Sequence, residues 1–514
     1  MDRSKADLVL RNAGAITLER RYPRARTIYI KNGLIWKTST ADIECSLTGP
    51  DTGILDCSGK TTIPAFHDAH CHIVAYAESM INIDVGPASV QSIEDMMSKI
   101  KKAAASIPAG QWIRCAGYNE FYLKEKRHPL RQDLDRATVA HPVKLTHRSG
   151  HAHVLNTPAL KLAGISNESE EPDGGMIERD LDSGEPNGLL YGMGAYLAQR
   201  VPATGSEELD AAILQAGNTL LSLGITSVQD ASPGNDLKRW QQFADWKKSN
   251  LFQPRTVLMF GYSEIGQIKG LQDIHGELSA GMVKLVLDEV RGKLNPPQSE
   301  INRMLLDINN RGLQAAVHAV EENAVNTVIK AFDCALRANP RRDHRHRVEH
   351  CSVCSPAAAA RLAALRAVIV TNPDFIYYSG ERYLSDVPPG QLRHLYAAKT
   401  MLEAGLRVAA GSDAPVAGPD PLKAIYAAVT RRAETGQAVL PRQSVTAMDA
   451  LRLFTSGAAY SCFREKQLGT IRKGKYADLA VLNADPLQVK AAELRDIKVE
   501  MTLLNGNMVY DAAD

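Results

Sequence analysis

The chain is 514 residues long, 44% hydrophobic and 23% charged, with 60 Lys+Arg against 58 Asp+Glu. That length suffices for one large barrel or roughly two to four ordinary domains around a sizeable core. A formal net charge of +2 without a dense Lys/Arg tract argues against nucleic-acid binding, and no apolar run approaches the ~20 residues that cross a bilayer.

The first ten residues are polar with a few aliphatics and lack the apolar core of a signal peptide. Eight scattered cysteines show no disulfide framework, so a cytoplasmic location is expected. Cys351 and Cys354 form a C-x-x-C, but no second pair exists to close a zinc site. Residues 7–37 alternate short Val/Ile/Leu/Thr runs with breaks at Asn12, Gly14, Pro23 and Asn32-Gly33, a meander or sandwich pattern.

From about residue 61, short apolar runs alternate with Ala- and Leu-rich helical stretches, the signature of βα units. The predicted strands end at His72, Asp230, Tyr262, Asp288, His318, His350, Pro373 and Asp413, which is the number a closed parallel barrel requires. A further run, 142–146, falls between the first and second strands and assigns about 105–200 to an inserted subdomain. The basic stretch 341–347 reads as a solvated loop before a strand. The far end turns β again at 468–471, 477–482 and 499–504, with Asn505-Gly506 as a tight turn. The expected fold is α/β: a (β/α)8 TIM-type barrel over 61–464, with an insertion after its first strand. Residues 1–60 and 465–514 together form a small β-sandwich domain.

Reactive groups in such a barrel gather at the C-terminal ends of the strands. The first strand ends in His70-Cys71-His72, and alternation puts both imidazoles on one face beside Asp68. Imidazoles at that spacing can grip a zinc-like ion. Lys284 shares a face with Asp288; it is either salt-bridged there or carboxylated into a metal-bridging group, since a bare ammonium is costly to bury. His318 and His350 end two consecutive strands. Asp413, at the tip of the last, can ligate metal and accept a proton.

The order His-x-His, Lys, His, His, Asp resembles the amidohydrolase superfamily, and within it the family-3 branch typified by N-substituted formamide deformylases. Several stretches carry the likeness: IPAFHDAHCH (63–72), GITSVQDAS (224–232), HRSGHAHVLNTPAL (147–160), GGMIERDLDSGEPNGLL (174–190), GSDAPVAGPDPLKAIYAAVTR (411–431) and GTIRKGKYADLAVLNADP (469–486). The resemblance implies that His70 and His72 hold one metal, His318 and His350 another, with Lys284 as carboxylated bridge. Asp413 would be ligand and general base, and Asp68 would orient the histidines from outside. Zn2+ is the implied cofactor, one or two ions, with Mn, Co, Ni or Fe compatible with the same ligands.

The implied reaction is hydrolysis of an amide, N-acyl or N-formyl C–N bond by metal-activated hydroxide. His151, Asn119 and Tyr377 are the expected substrate contacts, from loops that set specificity. Two departures stand out: Asp288 precedes Glu289 where relatives read Asp-Gly, and after His318 the family has Gly-Asp where Val320 is here followed by Glu321-Glu322, giving His318-Ala319-Val320-Glu321. The His-x-x-Glu pattern supports an alternative, a mononuclear deaminase of an aminated ring with Glu321 as proton shuttle. Glu321 reads equally as a helix first-turn acid, favoured there by the helix dipole. A non-catalytic binding protein on the same scaffold is the third reading, and no ligand is missing to support it. The expected partner is a small-molecule substrate, with neither nucleic acid nor membrane; a homodimer is compatible with the fold.

Overall fold

The computed structural model describes residues 5–172, 174–290 and 292–513; residues 1–4 of the polar N-terminal stretch lie outside the described residues. Eight parallel strands make one sheet: β1 (Phe66–Cys71), β2 (Ile225–Asp230), β3 (Arg255–Gly261) and β4 (Leu278–Val286), then β5 (Ala315–Ala319), β6 (Arg347–His350), β7 (Val368–Thr371) and β8 (Arg407–Ala410). Each pairs in parallel with the next in chain order. Helices such as Gln298–Asn310 and Glu322–Ala338 fill the crossovers that parallel pairing demands.

The rim closes between the last strand and the first, where Asp413 N donates to His70 O (2.7 Å) and His72 N to Ala414 O (2.9 Å). Closure requires glycine at 411, because a Cβ there would stand 2.4 Å from the His70 nitrogen. This is a TIM barrel. Its register sets Val286 beside His318 and Ala319 beside His350, so the chemistry-bearing residues emerge together at one end.

Both chain ends contribute to two further four-stranded sheets. One is ordered 34–39, 27–31, 8–11, 53–56; the other 507–511, 499–504, 479–482, 61–64. Leu10, Ile28 and Ile30 of the first share a buried core with Leu479, Val481 and Leu503 of the second, which makes a sandwich. Asn32-Gly33 and Asn505-Gly506 both take the positive φ pair of a type I′ turn.

At the foot of β3, buried Arg255 donates through Nε to Asp478 Oδ2 (2.7 Å) and stacks on Tyr476. Asp478→Ala would leave that guanidinium buried without its counter-charge, for an expected loss of about 3–5 kcal/mol. A lower denaturant midpoint checks this, and an unchanged midpoint would contradict it.

Residues 73–216 form a second compact unit, so the segment expected as an insertion over about 105–200 is the larger part of it. Its six-stranded sheet includes Val143–His147, the additional apolar run of the sequence. Met96, Ile100, Leu134 and Leu145 pack in its core.

One expectation is corrected. The basic stretch 341–347 is not a solvated loop, since His344, Arg345, His346 and Arg347 are buried. Arg345 is neutralised by Glu465 (2.8 Å) and Asp343 (2.8 Å), and His346 stacks on Phe332. All eight cysteines, Cys351 and Cys354 included, are free. Among the described residues no helix is long and apolar enough to cross a membrane.

Candidate metal centre

β1 delivers His70 and, one residue past its end, His72; their rings lie 5.5 Å apart, edge to face. The loop after β8 brings Asp413 against both, its Oδ1 3.0 Å from His72 Nε2 and 3.4 Å from His70 Nε2. That oxygen is buried and makes no hydrogen bond. His350 ends β6 with its ring 4.7 Å from that of His70, and donor atoms of His70, His350 and Asp413 all lie within 4.8 Å of one another. Lys284 Nζ, buried on β4, is 3.4 Å from His70 Nε2. His318, the last residue but one of β5, has its ring 4.5 Å from that of His350, and its Nε2 lies 3.4 Å from Asp288 Oδ1.

Each histidine has one ring nitrogen engaged by a polar neighbour. Glu349 Oε2 accepts from His70 Nδ1 (2.5 Å), Ser232 Oγ meets His72 Nδ1 (3.1 Å) and Asn372 Oδ1 meets His350 Nδ1 (2.7 Å). The remaining Nε2 of His70 and of His72 faces Asp413. Three residues here hold positive φ: His350 (66°), Cys351 (47°) and Asp413 (57°). Such a backbone costs about 1–3 kcal/mol per residue away from glycine, and it clusters where geometry serves function.

The electrostatics favour neutral nitrogen donors beside an anionic oxygen. Burial holds His70 and His350 below the usual imidazole range, with the Lys284 charge adding to the effect at His70. Burial also pushes Lys284 down to about 8, against the pull of Glu349 and Asp413. At Asp413 burial acts upward, but the His72 contact and the neighbouring His350 and His70 outweigh it and hold the carboxyl below its ordinary range. Donors around a tetrahedral ion with bonds of about 2.0–2.2 Å are about 3.4 Å apart. The His70, His72 and Asp413 separations and the orphaned Oδ1 therefore fit a divalent ion.

The sequence profile of the amidohydrolase family matches residues 53–510. The chain belongs to the amidohydrolase family. It is 28% identical to the N-substituted formamide deformylase of Arthrobacter pascens, over 98% of each chain. It is 26% identical to the putative amidohydrolase YtcJ of Bacillus subtilis (strain 168), over 95% of this chain and 96% of that one. The crystal structure of a metal-dependent hydrolase from Pyrococcus horikoshii OT3 superposes with a TM-score of 0.74 at 21% identity, over 94% of this chain and 99% of that one. Membership makes this chain a hydrolase of a metal-dependent family.

The amidohydrolase brings together five of the six ligand candidates around His70, with His318 at the edge beside His350. The grouping differs from the one the resemblance implied: His350 sits with His70 and Asp413, and His318 faces Asp288. Lys284 turns to His70 instead of Asp288. Asp68 does not touch the imidazoles. Its Oδ1 accepts from the His70 and Ser412 backbone nitrogens and its Oδ2 from Ser412 Oγ (2.5 Å), so it fastens the β1 tip to the β8 loop. Burial outweighs those hydrogen bonds and moves Asp68 up to about 6.

Glu321 is the N-cap residue of helix Glu322–Ala338. With Glu289, Glu322, Asn323, Asn326 and Gln391 it lines a cavity of about 570 Å³ that none of the ligand candidates lines. Tyr377 is 5% exposed and packs edge-on against Tyr378 and Tyr426, while its neighbour Phe375 is the ring that stacks over His350. Asn119 and His151 belong to the 73–216 unit. Asn119 Oδ1 accepts from Phe121 N (3.1 Å), and His151 is exposed. Beside Asn119, Glu120 Oε2 lies 2.9 Å from His147 Nε2.

Sequence reasoning missed Glu349, Arg347 and Ser232, whereas Asn372 opens the segment 372–378 that the sequence places around the pocket. For the first two a signal existed, because Arg347 and Glu349 sit two apart on a barrel strand and share a face.

Proposed function

We propose that this amidohydrolase cleaves a C–N bond of an amide, N-acyl or N-formyl compound, with Asp413 as general base. The observation that carries this is the buried, unpaired Asp413 Oδ1 at 3.0–3.4 Å from two imidazole Nε2 atoms. His70, His72, His350 and Asp413 would hold one divalent ion. Lys284, carboxylated, would link it to a second ion served by His318. Ions held there supply Lewis acidity, which lowers the pKa of water to about 7 and polarises a carbonyl.

The chain's own residues do the rest. Asp413 takes the proton of the attacking water on its carboxylate and returns it to the leaving nitrogen. Neutral His70 and His350 stay available as donors because burial disfavours their protonation. Phe375 forms an apolar wall beside His350 that would shield the reacting carbonyl from bulk water. The likeness to the Arthrobacter N-substituted formamide deformylase over 98% of each chain supports an N-formyl substrate.

The mononuclear deaminase reading would place one metal on His70, His72, His318 and Asp413, whereas the tight grouping is His70, His350 and Asp413. Its shuttle Glu321 also lines a different cavity. A screen of N-formyl and N-acyl amines beside aminated heterocycles separates the two. Release of formate or a carboxylate is the expected result. Ammonia released only from the heterocycles would replace this reading with deamination.

A further inference from the structure

We propose that the buried Arg347–Glu349 pair is a positioning device that fixes which nitrogen His70 offers to the metal centre, and so sets the affinity for the ion. The proposal rests on the metal centre described under the proposed function. Both side chains are fully buried, with Arg347 Nε donating to Glu349 Oε1 (2.7 Å) and Nη2 to Oε2 (2.8 Å). Barrel interiors are ordinarily filled by branched aliphatic layers. A buried ion pair is weak evidence for stability, since desolvating two charges offsets their attraction and apolar replacements are often neutral. A charged layer inside this barrel therefore calls for a role other than packing.

The contacts supply one. Glu349 Oε2 also receives His70 Nδ1 at 2.5 Å, so both carboxylate oxygens are engaged and His70 carries its proton on Nδ1. The Nε2 lone pair then faces Asp413 Oδ1 and Lys284 Nζ, each 3.4 Å away. Arg347 is itself tied down. Its Nη2 donates to Ala69 O (2.9 Å), the residue before His70, and its Nη1 donates to Gln229 Oε1. Gln229 Nε2 in turn donates to Ala458 O (3.0 Å) and to His67 Nε2 (3.0 Å). His67 Nε2 accepts there, because the amide nitrogen of Gln229 can only donate. The pair thus ties β6, which ends in His350, to the β1 backbone beside His70. It fixes the distance between two ligands as well as the tautomer of one.

The test measures Zn2+ affinity by competition with a chromophoric chelator, in the full chain. Glu349→Gln alone strands a buried guanidinium, so the decisive variant is the neutral pair Arg347→Met with Glu349→Gln. It is expected to keep its circular dichroism and to bind Zn2+ about 10–100-fold more weakly, the range for loss of a group behind a ligand. Affinity within twofold of wild type in the folded double variant would overturn the proposal. Should that variant not fold, the wild type still decides. Histidine 15N shifts must show His70 protonated on Nδ1, and a proton on Nε2 overturns the proposal. A wild type that binds no Zn2+ at all would instead remove the metal centre itself, a separate failure.

Discussion

Replacing Asp413 with asparagine is expected to lower kcat by about 10²–10⁴-fold, the contribution of a positioned general base. The substitution preserves shape and an oxygen donor but removes the capacity to take a proton. Oδ1 has no hydrogen bond to lose, and the imidazoles at 3.0 and 3.4 Å remain in place, so the variant should still fold and bind metal. Parallel metal analysis and steady-state kinetics check both halves. Near-normal kcat on a good substrate would show that the proton goes elsewhere.

Lys284→Ala has the second large effect. In the proposed centre Lys284, carboxylated, would supply oxygen ligands to the ions, and its Nζ stands 3.4 Å from His70 Nε2. The variant is expected to hold one ion per chain. Loss of one Lewis acid is worth several kcal/mol, so kcat/KM should fall by about 10³-fold. Removing a fully buried amine that burial has already pushed down to about 8 should not by itself unfold the barrel. A variant that retains two ions and normal turnover would assign the lysine to structure.

How far the sequence led can be traced residue by residue. The barrel strands were legible because each is a short apolar run between helical stretches, and β2 and β6 end where the pattern placed them, at Asp230 and His350. The six ligand candidates were legible because strand ends meet at one rim whatever their separation along the chain. What escaped was the partner of each candidate. Alternation gives the face of a side chain, yet it does not say that Glu349 meets His70, 279 positions away. Asp68 illustrates the same limit from the other side: its place two residues from His70 suggested a contact to the ring, whereas it grips the backbone. Glu321 and Tyr377 were ambiguous in sequence because helix first turns attract acids and aromatic rings pack as readily as they bind. The structure gives them a helix cap and a packed core.

Metal content bears on all of this at once. The purified chain, assayed by plasma mass spectrometry before and after chelation, should contain about two divalent ions per chain. It should lose both the ions and its hydrolytic activity to the chelator, and regain activity when Zn2+, Mn2+ or Co2+ is restored. Full activity in a preparation stripped of every ion would contradict the account.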